Sequence, residues 1–168
     1  MPIVLDIPAV IISAVIGATV SVVVTQYTLK HRTVADRRRS TVDLIERRLL
    51  SFEREQTRTE FLELLDDPDR SLCVWAREDK RESREASIIR NLLNEYELIA
   101  IGIEQKLYDE VLYKYFWKGA LLDDWEATID FIDLVRRRTK NPEIYRQFSN
   151  LAERWSKEKN SPTPQIAN

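Results

Sequence analysis

The sequence predicts an all-α protein: one N-terminal transmembrane helix continuing into a cytosolic helical bundle. Three observations predict it. No charged residue stands between Asp6 and Lys30, a run of 23 positions. Beyond that run, apolar residues recur at spacings of three and four, the period of a helix with one buried face. Three glycines and six prolines in 168 residues leave few of the turns that a many-stranded fold needs.

Residues 7–29 read IPAVIISAVIGATVSVVVTQYTL. As a helix they would extend about 35 Å, enough to cross a hydrocarbon core about 30 Å thick with modest tilt. Pro8 falls in the first turn, where its missing N–H costs little. A cleavable signal peptide would need a basic start and a small-residue cleavage site. The chain begins MPIVLD and the run ends TQYTLKHR. Lys30, Arg32, Arg37, Arg38 and Arg39 follow the run, opposed by Asp36 alone. The positive-inside rule therefore leaves residues 1–6 outside and residues 30–168 in the cytoplasm. The same five cations are expected to contact lipid headgroups, at about 1 kcal/mol each for those near the surface. Ser13, Gly17 and Ser21 recur every fourth residue and form a smooth face on which two such helices could associate. The run carries no ionisable group for a proton or ion relay.

Residues 30–66 are expected to form a basic, amphipathic, membrane-proximal helix, locally coiled-coil-like, with Val42, Ile45, Leu49 and Phe52 on its apolar stripe. Asp66-Asp67-Pro68 ends it. Residues 70–159 should make the bundle. Residues 71–81 supply one or two helical turns around Leu72, Cys73, Val74 and Trp75. Residues 82–103 are apolar almost all round once Leu98 and Ile101 are counted, the mark of a central helix, with Gly102 suited to a left-handed cap. Asp109 should cap a helix running to Arg138, with Leu112, Tyr115, Phe116, Leu122, Trp125, Ile129 and Ile132 buried. Asn141-Pro142-Glu143 should start the last helix, whose apolar side holds Ile144, Tyr145, Phe148, Leu151, Ala152 and Trp155. Residues 160–168 have no periodicity and are expected to be a disordered tail.

Composition limits the chemistry. Twenty-six Lys and Arg against 28 Asp and Glu give a net charge of −2, so no nucleic-acid partner is expected. One cysteine, Cys73, excludes an internal disulfide, and one histidine, His31, excludes a His-rich metal site. Cys73 reads as a small core residue, far in sequence from His31. Asp123, Asp124, Asp130 and Asp133 read as a solvated face. No catalytic set, metal or cofactor is expected. Asn94 and Glu97, three apart on an apolar helix, form a candidate buried polar pair that Arg136, Arg137 or Arg138 could neutralise. The alternative is an exposed stripe with Arg90 and Asn91.

The chain resembles a bacterial and phage family of small membrane-anchored helical proteins with a domain of unknown function. The residues that carry the likeness are the N-terminal run, the basic helix, and the segment LNEYELIAIGI at 93–103. Asp109-Glu110, Trp125, Arg136, Arg137 and Arg138 continue it, and Pro142, Tyr145, Phe148, Leu151 and Trp155 complete it. The resemblance implies anchoring in the bacterial inner (plasma) membrane and a helical cytosolic domain, and it carries no reaction. The expected function is therefore a single-pass scaffold or interaction protein, homo-oligomeric and non-enzymatic. Its partners would be the lipid bilayer, a second copy, and a cytosolic protein bound near Trp75 or Trp117. The alternative is a membrane effector in phage exclusion or antiphage defence that perturbs the bilayer when clustered.

Overall fold

The computed structural model describes residues 33–66 and 71–158, and all regular structure among them is helical. Helix α1 covers residues 33–50, α2 Phe52–Leu65, α3 Arg84–Glu104, α4 Glu110–Thr139 and α5 Arg146–Lys157. Two short 3₁₀ turns, Leu72–Ala76 and Glu78–Lys80, join α2 to α3. No helix among the described residues is long and apolar enough to cross a membrane. The expected span at 7–29, its face of Ser13, Gly17 and Ser21, the cations Lys30 and Arg32, His31 and the tail at 160–168 lie outside the described residues.

Helices α3 and α4 run antiparallel across a short link: Arg90 shares a hollow with Val135, and the Tyr96 hydroxyl meets Asp124. The α1–α2 pair runs alongside α4 in the same direction. Arg38 meets Asp109, Arg48 meets Tyr113 and Arg58 meets Asp124, so both chains advance together. Helix α5 packs back on α3, with Phe148 stacked on Tyr96 at 4.9 Å and Trp125 edge-on to Phe148 at 5.4 Å. One buried cluster joins these elements, including Ile45 of α1 and Phe61 of α2. The segment expected to be a separate membrane-proximal helix thus shares its core with the rest, and the sequence boundary at 66–70 does not divide that core.

Local chemistry explains most helix ends. Ser83 caps α3 through the Ala86 N–H at 3.1 Å, and Asp109 caps α4 through the Leu112 N–H at 3.0 Å. That N–H, and then Arg38, hold the Asp109 carboxyl below the usual carboxylate range against the opposing effect of burial. Arg136, Arg137 and Arg138 occupy the last turn of α4, where the helix dipole favours cations.

Several expectations need correction. The helix expected across 30–66 is interrupted at Ser51, which turns extended and accepts the Arg54 N–H at 3.2 Å, starting a new helix. Val42, Leu49 and Phe52 are exposed, and the buried stripe is Thr41, Ile45 and Arg48. Leu98 and Ile101 are also exposed, so α3 is covered on one side only. On α4 the buried face is rotated: Tyr113, Leu121, Asp124, Thr128, Phe131 and the expected Ile132 are buried, the expected Leu112, Leu122 and Trp125 pack partly buried at its edge, and Tyr115, Phe116 and Ile129 are exposed. Two polar residues, Asp124 and Thr128, sit on that face with their hydrogen bonds met, which a reading by hydropathy cannot anticipate.

Gly102 is helical rather than a left-handed cap; Lys106 takes the positive φ of 58°. The Gly102 carbonyl accepts the N–H groups of Leu107 at 2.8 Å and Tyr108 at 3.2 Å. A Cβ at Gly102 would overlap Cδ2 and Cε2 of the Tyr108 ring, so the glycine is there for close approach. Overpacking costs about 1–3 kcal/mol and alanine regains up to about 1 kcal/mol of helix propensity. Gly102→Ala is therefore expected to lower stability by about 1–2 kcal/mol in urea unfolding of the full chain in mild detergent.

Candidate functional site

The interruption at Ser51 sets two arginines on either side of a bend. Arg48 ends α1 and Arg54 begins α2, and both reach Glu95 on α3. Arg54 Nε donates to Glu95 Oε1 at 3.1 Å. Arg48 Nε lies 3.0 Å from the same oxygen but off its N–H axis, an ion pair without a hydrogen bond. Arg48 Nη1 donates to the Tyr113 hydroxyl. The Arg48 guanidinium also lies over three rings, 4.8 Å from the Trp117 centroid, 5.5 Å from Tyr96 and 5.7 Å from Tyr113. Arg54 shares Trp117 at 4.9 Å. Only 3% of the Arg48 side chain is exposed. A buried cation needs such company, because a charge left unpaired in the interior costs several kcal/mol.

A second polar group lies one step deeper along α4. Asp124 is 1% exposed and accepts from Arg58 on both carboxylate oxygens. The Tyr96 hydroxyl donates to Asp124 Oδ2 at 2.7 Å, and Thr128 Oγ1 donates to the Asp124 carbonyl at 2.6 Å. Burial, and then the Asp124 charge, push the Tyr96 hydroxyl well above the ordinary tyrosine range. Burial raises Tyr113 likewise, against the opposing charge of Arg48. Both phenols therefore stay protonated at neutral pH and act as fixed hydrogen-bonding groups. Tyr96 belongs to both clusters, with its ring under Arg48 and its hydroxyl on Asp124.

Beside the bend a shallow groove of about 670 Å³ opens between α1, α2 and α3. Arg47, Arg54, Thr57, Asn91, Asn94 and Glu95 line its polar side. The polar groups of the two clusters are mostly turned on one another, an arrangement that orients helices. Among the described residues, no group of three or more His, Cys, Asp or Glu side chains is placed to hold a metal ion.

The residues expected from sequence are dispersed. Asn94 is exposed at the groove and Glu97 is half-buried, so the expected buried pair does not form. Glu97 instead accepts the backbone N–H groups of Gln147 at 3.2 Å and Phe148 at 2.8 Å, closing the start of α5 from across the bundle. That helix begins at Arg146, later than the Asn141-Pro142-Glu143 signal implied. Asn141 Oδ1 accepts the Glu143 N–H at 3.0 Å in a tight turn, and Tyr145 follows with a left-handed φ of 54°. The α5 start has no side-chain cap of its own, which leaves its N–H groups to Glu97. Replacing Glu97 with alanine is expected to cost about 1–2 kcal/mol, by the measure of a lost N-cap. Amide exchange should quicken first at Gln147 and Phe148.

Arg136 does not meet Glu97; it donates to the Ile144 carbonyl at 2.8 Å and to Ser149 Oγ at 2.7 Å. Arg138 pairs with Glu78 at 3.2 Å. Among the expected headgroup cations, Arg38 pairs with Asp109 at 3.3 Å, Arg37 donates to the Thr33 carbonyl at 3.4 Å, and Arg39 is exposed. Trp75 is buried and Trp117 is half-buried in the arginine cluster, so neither anchors an exposed patch. Cys73 is half-buried rather than a full core residue. Asp124 leaves the acidic face assigned to it, while Asp123, Asp130 and Asp133 stay exposed.

Sequence reasoning missed Arg48, Tyr113, Trp117 and Asp124 as one unit. A signal existed on α1: Thr41, Ile45 and Arg48 share a face at helical spacing, with an arginine where an apolar residue is ordinary.

Fold and site together define an all-helical domain whose core is bound across its helices by an arginine–aromatic cluster and a buried aspartate. The chain belongs to the family described as domain of unknown function (DUF4760), whose model matches residues 15–155. No curated protein and no solved structure matches it.

Proposed function

We propose that this protein is a single-pass, membrane-anchored helical interaction protein that self-associates and acts by association rather than by a reaction of its own. The carrying observation is the uncharged run at 7–29, followed by a cationic segment that leads within four residues into α1. The family match starts inside that run, at residue 15, which supports reading the run and the bundle together. The span would lie with residues 1–6 outside and the bundle in the cytoplasm, by the excess of Lys and Arg after it. Self-association would use the face of Ser13, Gly17 and Ser21. The internally paired site supports a structural duty: it fastens α1, the helix next to the anchor, to the rest of the bundle.

Fractionation of cells expressing the full chain tests this. The protein is expected to stay with membranes after alkaline carbonate extraction, and a chain lacking residues 1–29 to leave them. Release of the full chain would overturn the reading. In mild detergent the full chain is expected to run as an oligomer, and Gly17→Leu should lower its mass.

A further inference from the structure

The corner between α3 and α4 carries apolar side chains that the fold leaves uncovered. Leu107 is 61% exposed, Val111 79% and Tyr115 85%. Val111 and Tyr115, four apart, stand on one face of α4. Phe116, also exposed, meets the Tyr115 ring edge-on at 5.5 Å. Lys106 stands exposed at the same corner.

This corner is fastened to the start of α1. Arg38 pairs with Asp109 at 3.3 Å, and the Asp109 N–H donates to Oγ1 of the fully buried Thr41 at 2.7 Å. A hollow of about 400 Å³ is lined jointly by Thr33, Asp36, Arg37, Ser40, Lys106 and Leu107. Leu107 is therefore level with residues 33–40 of α1. Four residue steps separate Leu29, the end of the uncharged run, from Thr33. Those steps reach at most about 14 Å. The headgroup layer is itself about 5–8 Å deep on each side.

We infer that Lys106, Leu107, Val111 and Tyr115 form a second membrane contact, laid on the lipid surface beside the anchor. The inference rests on the reading of residues 7–29 as a span. Its chemistry is that of an interfacial surface: aliphatic side chains for the acyl boundary, tyrosine for the headgroup level, and lysine for anionic lipid. An anchor alone leaves the bundle free to turn about its connection. Two contacts fix which face of the bundle meets the membrane and which faces outward.

The test uses the full chain reconstituted in vesicles of phosphatidylcholine with phosphatidylserine. In a Cys73→Ser background, single cysteines replace Leu107, Val111, Tyr115 or, as a distant control on α4, Asp130. Each carries a polarity-sensitive fluorophore, and lipids with a nitroxide near the headgroup serve as quencher. Quenching at 107, 111 and 115, with none at 130, is the expected result. It should weaken when phosphatidylserine is omitted. A chain that floats with the vesicles but is quenched no more at these three positions than at 130 overturns the surface and leaves the span intact. A shielded fluorophore that ignores the lipid quencher, and becomes exposed as protein is diluted in lipid, assigns the face to a second copy and overturns the proposal. Failure to float removes the span, and this contact with it.

Discussion

Asp124→Ala is expected to destabilise the protein by about 3–4 kcal/mol, the lower part of the range for breaking a buried ion pair by removing one partner. Three groups lose their acceptor or their neighbour at once. Arg58 loses both of its carboxylate contacts, the Tyr96 hydroxyl is left buried without an acceptor, and α4 loses volume against α2 and α3. The Arg58 side chain is 26% exposed, so water recovers part of its charge; Tyr96 is 1% exposed and recovers nothing. Asp124→Asn separates the two effects. An amide oxygen can still accept from Tyr96, and what is lost is the charge and one of the two oxygens that accept from Arg58, so its cost is expected to be smaller, about 1–3 kcal/mol. Urea unfolding of both variants, with Arg58→Met in a double-mutant cycle, measures the coupling. Additive losses from Asp124→Ala and Arg58→Met would refute the network.

The second large effect is expected at Trp155. It is fully buried near the end of α5, 6.4 Å from the Tyr113 ring, with Lys114 Nζ 5.5 Å over its face. Trp155→Ala is expected to cost about 3–5 kcal/mol, the range for removing a large aromatic from a packed core. Trp155→Phe keeps most of the ring contact but loses the indole N–H bond to Glu110 Oε1 at 2.7 Å. Its cost should fall to about 1 kcal/mol, with a distinctive pH dependence. Burial alone would raise the Glu110 carboxyl, but the bonds from Trp155 and Arg154 outweigh it and hold the group below its ordinary value. A depressed folded value contributes stability above the unfolded pKa and loses it as pH falls through the folded one. The gap between wild type and Trp155→Phe should therefore be full at neutral pH and narrow in acid. A gap that widens in acid would contradict the assignment.

Both positions show how far the sequence could be read. Trp155 was legible as a core residue, because Phe148, Leu151, Ala152 and Trp155 lie at helical spacing on a short, otherwise polar segment. Asp124 was not. It stands beside Asp123 in a helix with charges on every side, and its partner Arg58 is 66 positions away. Glu97 repeats the lesson. Its spacing from Asn94 suggested a local pair, yet its hydrogen-bonding partners are backbone groups about 50 positions further on.

Local chemistry by itself determined the all-helical class, the cap at Asp109, the cationic end of α4 and the uncharged run at 7–29, since each depends on neighbours within a turn or on an unbroken apolar stretch. Tertiary structure decided the interruption at Ser51, the rotation of the buried face of α4, the late start of α5 and the arginine–aromatic cluster. The physical reason is common to all four. Burying a polar group is unfavourable until a partner from another helix satisfies it, and that partner is chosen by packing rather than by sequence spacing.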